Sequence, residues 1–555
     1  MQILPICLNK SNHLLHLFFH VSAVRADQRA ADDGLIVHIL QIDFRNGQSE
    51  FALQAVDERF DLAAFFLEGG TARQNKAAFK NADHPIKNPY QWSKILQYFY
   101  SEYCMQNIEE QYQQALDYLY SFIDYSLTRN LRYSAEKFNL KRMVSFMQRL
   151  GNPQNDYKVI HVAGTKGKGS TSAMLTSILT SAGYETGFYS SPHMLDFNER
   201  IRIGGRLISK RELVDLVNTV KAFVPLVREL TTFEIITGMA FLFFSQQQVD
   251  FAVIEVGMGG RLDATNIVNP LLSIITSISH DHMKVLGSTL GNIAGEKAGI
   301  IKAGVPVVIS NQKKSPRETI VSVAQHKGAP LYQSDRIFNI ERGAHSLEGQ
   351  SFRFVSFEHK SLGATQSSRE FYMPLIGDHQ LENARTAYTA LQIIKDKGFN
   401  ISEENISEGF RKIDWPGRME IISRDPLIIV DGAHNRDSFG KFSETIDTYL
   451  PDKKRILIFG ASEDKEVELM LGRVQSSLDE LIITKAQHPR ALEGEVVAAK
   501  AEKMGIKYRV TNCVEDALEL AVQAADDHTV ILAAGSIFIA GAVKNVWQNH
   551  ILRKK

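Results

Sequence analysis

A chain of 555 residues exceeds what one hydrophobic core supports, and at roughly 100–200 residues per domain it divides into two or more units. Its 44% hydrophobic and 23% charged content is that of an ordinary soluble globular protein, which fits a multidomain enzyme. Sixty-three Lys and Arg balance sixty-three Asp and Glu, which argues against a bulk nucleic-acid or anionic-membrane binder but leaves room for a local basic pocket. Cys7, Cys104 and Cys513 lie far apart without CxxC spacing, so neither a disulfide scaffold nor a zinc site is expected and a reducing cytoplasm suits the chain.

In chain order, the opening MQILPICLNKSNHLLHLFFHVSAVRA is interrupted by Lys10, Asn12, His13, His16 and His20 and does not read as a secretory signal. No segment reaches about 18 uninterrupted apolar residues, so no membrane span is expected. Residues 1–104 carry no sustained periodicity. They read as either an upstream leader ahead of a true start at Met105 or an extra module. From Met105 the character changes, since Ile108, Tyr112, Leu116, Leu119 and Phe122 fall at helical spacing. Short apolar runs then alternate with helical stretches as in a parallel α/β sheet. YKVIHVAG, FAVIEVG, LSIITSIS and GVPVVIS read as strands, residues 336–375 as shorter antiparallel strands, and GDHQLENARTAYTALQIIKDKG as a helix closed by Gly398. DWPGRMEIISRDP holds two prolines and a glycine, which places a linker at 419–425. Beyond it LIIVDGAHN, RILIFGAS, ELIITKA and TVILAAGS restart the alternation. The fold class is therefore α/β: a phosphate-loop parallel-sheet domain over 105–418, then a smaller Rossmann-like α/β domain over 426–555.

HVAGTKGKGST, residues 161–171, resembles a phosphate loop but departs from G-x-x-x-x-G-K-[ST], because Gly169 separates Lys168 from Ser170. Its setting, strand then glycine turn then helix near Ser170, supports the assignment against a bland glycine turn. Gly164, Gly167 and Gly169 let the backbone approach an anion, and the helix N-terminus adds favourable partial charge. Lys168 is placed to meet the β/γ-phosphates and Ser170 to ligate Mg²⁺. A nucleotide–Mg²⁺ site needs further ligands where neighbouring strands end. Glu255 closes an apolar strand, where an unpaired carboxylate is costly unless it meets a cation. His280 and His282 are equally available on chemistry alone. Lys297 and Lys302, in GEKAGIIKAGVP, read as solvated surface.

Taken together, HVAGTKGKGST, SSPHMLDFNERIRIGG, TTFEIITGMAF, VIEVGMGGRLDATNIV, SHDHMKVLG, EKAGIIK, WPGRME and VDGAHN, in this order over residues 105–555, resemble the folylpolyglutamate synthase/dihydrofolate synthase family, relatives of the Mur ligases. The resemblance makes the additional glycine a family trait, with Lys166 standing where Asn is frequent. It implies that Gly164, Thr165 and Lys166 to Gly169 cradle the triphosphate of ATP. It implies one Mg²⁺ on Ser170 and Glu255, and a second near His282, which it selects over His280. Lys297 matches a lysine that is carbamylated in the family, and a carbamate would convert that amine into a metal-binding carboxylate. Asn383, Arg418 and Asp431 resemble ATP contacts, Arg418 being suited to bidentate phosphate binding. His434 and Asn435 would position reacting groups. Thr231, Thr232, Phe233 and Glu234 with Leu262, Asp263 and Ala264 look like pterin contacts. Lys137 to Asn139 do so loosely, and Ser191 is a further pocket candidate.

The implied reaction joins a pteroate or folate carboxylate to L-glutamate through an acyl phosphate, in a cytoplasmic and monomeric enzyme without nucleic-acid or membrane partners. Lys168, Lys297, His434 and Ser191 are the candidates for the chemistry. A Mur-type cell-wall ligase is the runner-up, disfavoured by the folate-branch forms SSPH…ERIRIGG and GMGGRLDATN. A non-catalytic nucleotide-binding protein is a third reading, against which the retained Ser170, Glu255, His282 and Lys297 stand.

Overall fold

The computed structural model describes residues 18–23, 38–43, 51–56, 61–68, 71–74, 107–123, 139–281, 283–357 and 369–554. The chain forms two units, Met1–Gln106 and Asn107–Lys555. In the first, β1 (Phe18–Ala23), β2 (His38–Asp43), β3 (Phe51–Val56), β4 (Asp61–Glu68) and β5 (Thr71–Gln74) make an antiparallel meander in sequential order. The strands escape pattern reading because runs such as DLAAFFLE do not alternate.

In the second unit a helix over 107–120 buries Tyr112, Ala115 and Leu119, the face that the apolar spacing predicts. The principal sheet contains β6 (Lys158–Ala163), β7 (Thr186–Tyr189), β8 (Ile201–Ile203), β9 (Arg206–Leu207), β10 (Phe251–Glu255), β11 (Leu272–Ile275), β12 (Val307–Ile309) and β13 (Leu331–Gln333). Their order is β13-β12-β11-β6-β10-β7-β8-β9, parallel from β13 to β7 with β8 and β9 added antiparallel. Both faces are covered, one by a core including Phe146, Phe241 and Phe244, the other by Met174, Leu175, Leu381 and Leu391. Burial on both sides explains why β6 and β10 are near-continuous apolar runs. The register pairs Glu255 of β10 with Val162 of β6, and Ile275 of β11 with Ala163. Three strands thus end at one level, on the edge where open α/β sheets bind ligands.

A three-stranded antiparallel sheet, β14 (Phe338–Ser346), β15 (Gly349–Ser356) and β16 (Phe371–Met373), packs Phe354 on Tyr388 with ring centroids 4.6 Å apart. Tyr388 belongs to helix Asp378–Asp396, after which Gly398 turns the chain at φ 92°, as its sequence position foretells.

The last sheet contains β17 (Glu420–Arg424), β18 (Leu427–Val430), β19 (Lys454–Phe459), β20 (Glu480–Ile483), β21 (Tyr508–Val510) and β22 (Thr529–Ala534), ordered β17-β18-β22-β19-β20-β21. All neighbours are parallel except β17, which runs antiparallel to β18. The stretch expected as linker is therefore mostly an edge strand. Pro426 marks a hairpin turn, whereas the irregular connection between the domains lies earlier, at 412–419.

Candidate functional site

Strand β6 delivers the chain into a loop and then into helix Lys168–Ser181, which begins two residues before Ser170. Gly167 is its N-cap, at φ 83°, and no side chain caps the helix. An uncapped N-terminus with a left-handed glycine presents backbone N–H groups to an anion. The loop is tied to the sheet by its other amides, since Thr165 and Lys166 N–H donate to Ser277 O at 2.9 and 3.1 Å. A Cβ on Gly167 would stand 2.1 Å from Asn383 Oδ1, so Asn383 lies directly against the loop.

Lys168 Nζ reaches Glu255 Oε1 at 3.7 Å. Burial pushes the Glu255 carboxyl above its usual range, against the pull of Lys168, Arg418 and the Ser191 backbone N–H. Ser191 thus meets the site through its main chain. Ser170 is 3% exposed, in the helix's first turn. Its hydroxyl and the Glu255 carboxylate are hard oxygen donors of the kind Mg²⁺ takes.

Lys297, in helix Leu290–Ala298, corrects the solvated-surface expectation: it is 5% exposed. Burial first, then the neighbouring Lys168, push its ammonium down to about 7, against opposition from Asp281. Lys302 instead donates to Asn266 O at 2.8 Å. His280 is exposed, and His282 lies outside the described residues. Among the described residues no group of three or more His, Cys, Asp and Glu side chains makes a cation site.

From the second domain, Asp431 sits at the end of β18 and accepts Met419 N–H at 2.8 Å and Ala433 N–H at 2.7 Å. Burial raises its carboxyl, opposed by Arg418. Its visible work is to shape the turn that presents Arg418 and His434. Arg418 donates to Gly417 O at 2.8 Å. Asn435 caps the following helix Arg436–Tyr449.

Of the expected pterin contacts, Thr231 and Glu234 form the capping box of helix Thr232–Gln246, and Arg142 Nε adds a 3.2 Å bond to Glu234. Thr232 donates to Leu119 O at 3.0 Å. Phe233, by contrast, is partly exposed; a Cβ on Gly257 would stand 2.5 Å from its Cζ, and its ring lies 6.2 Å from that of Tyr189. Asp263 Oδ1 accepts Thr265 N–H at 3.0 Å and its Oδ2 accepts Met258 N–H at 2.8 Å, while Leu262 precedes it in the turn and Ala264 begins the next. Asn139 caps helix Leu140–Arg149, and Lys137 and Phe138 lie outside the described residues.

Three participants were missed. Asp281 Oδ2 accepts from Lys166 Nζ at 3.2 Å and Asn435 Nδ2 at 3.1 Å, and Oδ1 from Lys465 Nζ at 3.3 Å. Lys465 lies in the loop between β19 and helix Val467–Leu471, beyond the strand-end positions that flagged the other candidates. Trp415 packs on Gly169, where a Cβ would stand 2.6 Å from its Cζ2. Its only sequence signal was its place in WPGRME.

The Mur ligase middle domain matches residues 162–391, and the Mur ligase glutamate ligase domain matches residues 417–537. The dihydrofolate synthase/folylpolyglutamate synthase of Bacillus subtilis is 38% identical over 384 residues, 67% of this chain and 87% of that one. The protein of that name from Escherichia coli is 33% identical over 438 residues, 78% and 96% of the two chains. The structure of Mycobacterium tuberculosis folylpolyglutamate synthase complexed with ADP superposes with a TM-score of 0.71 at 29% identity, covering 79% of this chain and 99% of that one. That of E. coli FolC in complex with DHPP and ADP does so with a TM-score of 0.67 at 30% identity, over 80% and 98%. The chain belongs to the folylpolyglutamate synthase/dihydrofolate synthase family of the Mur ligases.

Proposed function

We propose that this chain is an ATP-dependent ligase that adds L-glutamate to the carboxylate of dihydropteroate, to that of a tetrahydrofolate (poly)glutamate, or to both. The observation that carries the reading is the Lys168–Glu255 pair at the start of an uncapped helix, with Arg418 of the domain connection acting on both Glu255 and Asp431 of the second domain. ADP in the related structures supports nucleotide binding here, and DHPP in the same complex as ADP in the E. coli relative supports a pterin substrate. The relatives compared carry folate-synthase names, which disfavours the cell-wall alternative.

A carboxylate is too poor an electrophile for an amine to attack at neutral pH. One carboxylate oxygen attacks the γ-phosphorus and ADP leaves; the glutamate amine then adds to the acyl carbon, and phosphate departs with the former carboxylate oxygen. The helix N-terminus and Lys168 hold the phosphates, and Arg418 braces them from the domain boundary. Phe233 supplies an aromatic face to the pterin, held in place by the Thr231–Glu234 capping box. Ser170 and Glu255 would hold one Mg²⁺, and His282 with Lys297 as a carbamate a second. Bound there, the ions would neutralise phosphate charge. Lys297 is suited to carbamylation because burial favours its neutral amine, the form that adds CO₂. The enzyme acts as a cytoplasmic monomer; no helix among the described residues is long and apolar enough to cross a membrane.

The test is ADP release with ATP, Mg²⁺, L-glutamate and each pterin in turn. Release with dihydropteroate or a tetrahydrofolate is expected, and release with neither would refute the reading.

A further inference from the structure

Lys166 occupies a phosphate loop, yet its ammonium is already engaged by an aspartate and a histidine. It bonds Asp281 Oδ2 and His434 Nε2, each at 3.2 Å, and its own N–H is already committed to Ser277 O at 3.1 Å. His434 Nδ1 lies 2.8 Å from Gly432 O. That carbonyl can only accept, so Nδ1 carries the proton and Nε2 offers a lone pair to the Lys166 ammonium. One tautomer and one ring orientation are thereby selected from both sides.

Asp281 gathers the remaining contacts. Lys166 and Asp281 come from the first domain; Asn435 and Lys465 come from the second and bond the same carboxylate at 3.1 and 3.3 Å. The Asp281 and Lys465 side chains are only 10% and 12% exposed, so these charges are sheltered from solvent and coupled more strongly than surface ion pairs.

We infer that Lys166, Asp281, Asn435 and Lys465 form an interdomain latch in which Lys166 is a positioning residue: it holds His434 over the cleft when the domains close. The inference rests on the ligase reading and deepens it. The cation beside the phosphate loop binds across the cleft, to the second domain, rather than to ATP. Closure by this latch aligns the glutamate-binding half of the site with the acyl phosphate, so losing it costs orientation more than nucleotide affinity.

The test compares Lys166→Met and Lys465→Met, one on each side of the cleft, with the unsubstituted chain, after thermal melting has shown both to be folded. ADP–Mg²⁺ affinity by titration calorimetry is expected to change by less than about twofold in both, while kcat/KM for L-glutamate falls about tenfold or more. Lys166→Arg is expected to regain part of that loss. The double variant is expected to lose less than the product of the single losses, because both act through Asp281. ADP affinity reduced about tenfold in Lys166→Met, with kcat at saturating ATP intact, would overturn the inference in favour of a nucleotide ligand. Unchanged glutamate kinetics, or fully multiplicative losses, would overturn it too. Absence of ADP binding by the unsubstituted chain would overturn the ligase reading itself, and the latch with it.

Discussion

Gly169 lies against the Trp415 indole: a Cβ built on it would stand 2.6 Å from Cζ2 and 3.2 Å from Cε2. Trp415 has little room to yield, with Phe188 5.3 Å away between ring centroids and the Arg202 guanidinium 5.2 Å over its ring. The glycine that displaces this loop from the usual lysine–serine adjacency is therefore required by packing between the phosphate-loop helix and the domain connection. Gly169→Ala is expected to destabilise the protein by about 1–3 kcal/mol through overpacking, and to weaken ADP binding. Adding Trp415→Phe, which removes the Cζ2 edge, is expected to recover part of both. An alanine variant that melts and binds like the parent would contradict this packing account.

Lys168 is the only loop lysine directed at the Glu255 end of the site. Lys168→Ala is expected to lower ATP-dependent ligation by at least about 100-fold, the scale of removing one preorganised charge contact from a transition state. Normal turnover would refute the phosphate-loop assignment.

The parallel sheet, the loop and the strand-end carboxylate were legible because each rests on local pattern: continuous apolar runs, glycines at fixed spacing, a charge closing a strand. What stayed hidden depends on distant segments meeting. Lys297 reads as surface because its burial arises from the packing of its helix against the turn at Gly260 and Arg261 and against helix Lys314–His326, not from its neighbours in GEKAGIIK. Asp281 is joined to residues 166, 435 and 465 only after two domains fold, and no periodicity announces such a convergence. Pro426 suggested a linker because a proline in a hairpin turn and one in an interdomain connection look alike in sequence.

Within TTFE, Thr231 and Glu234 are engaged in capping, Thr232 donates to Leu119 O, and only the Phe233 ring is partly exposed. Phe233→Ala is expected to raise KM for the pterin substrate about tenfold, as loss of one aromatic contact would. Thr231→Ala is expected instead to cost about 1 kcal/mol of stability, the usual value of an N-cap. Steady-state kinetics with denaturant unfolding separate the two, and a reversed pattern would contradict this division of roles.

Burial pushes the His161 imidazole down to about 3 from its ordinary 6.5, with its Nε2 2.9 Å from Thr265 Oγ1. The unfolded chain therefore binds the extra proton between those values, so stability is full above pH 6.5 and is lost as pH falls below it. His161→Gln is expected to flatten the acid side of the stability curve by at most about 1.4 kcal/mol per pH unit, leaving the slope above neutrality unchanged. Urea unfolding at several pH values checks this; identical acid slopes in the two proteins would contradict a buried neutral imidazole.

On the proposed mechanism, the substrate carboxylate is activated by phosphoryl transfer before glutamate adds. The most direct measurement uses dihydropteroate or a tetrahydrofolate labelled with ¹⁸O in the reacting carboxylate, with mass analysis of the inorganic phosphate released during one turnover with ATP and L-glutamate. Passage through an acyl phosphate predicts one ¹⁸O in each phosphate and one retained in the new amide. Phosphate free of label, with amide formed, would contradict the account.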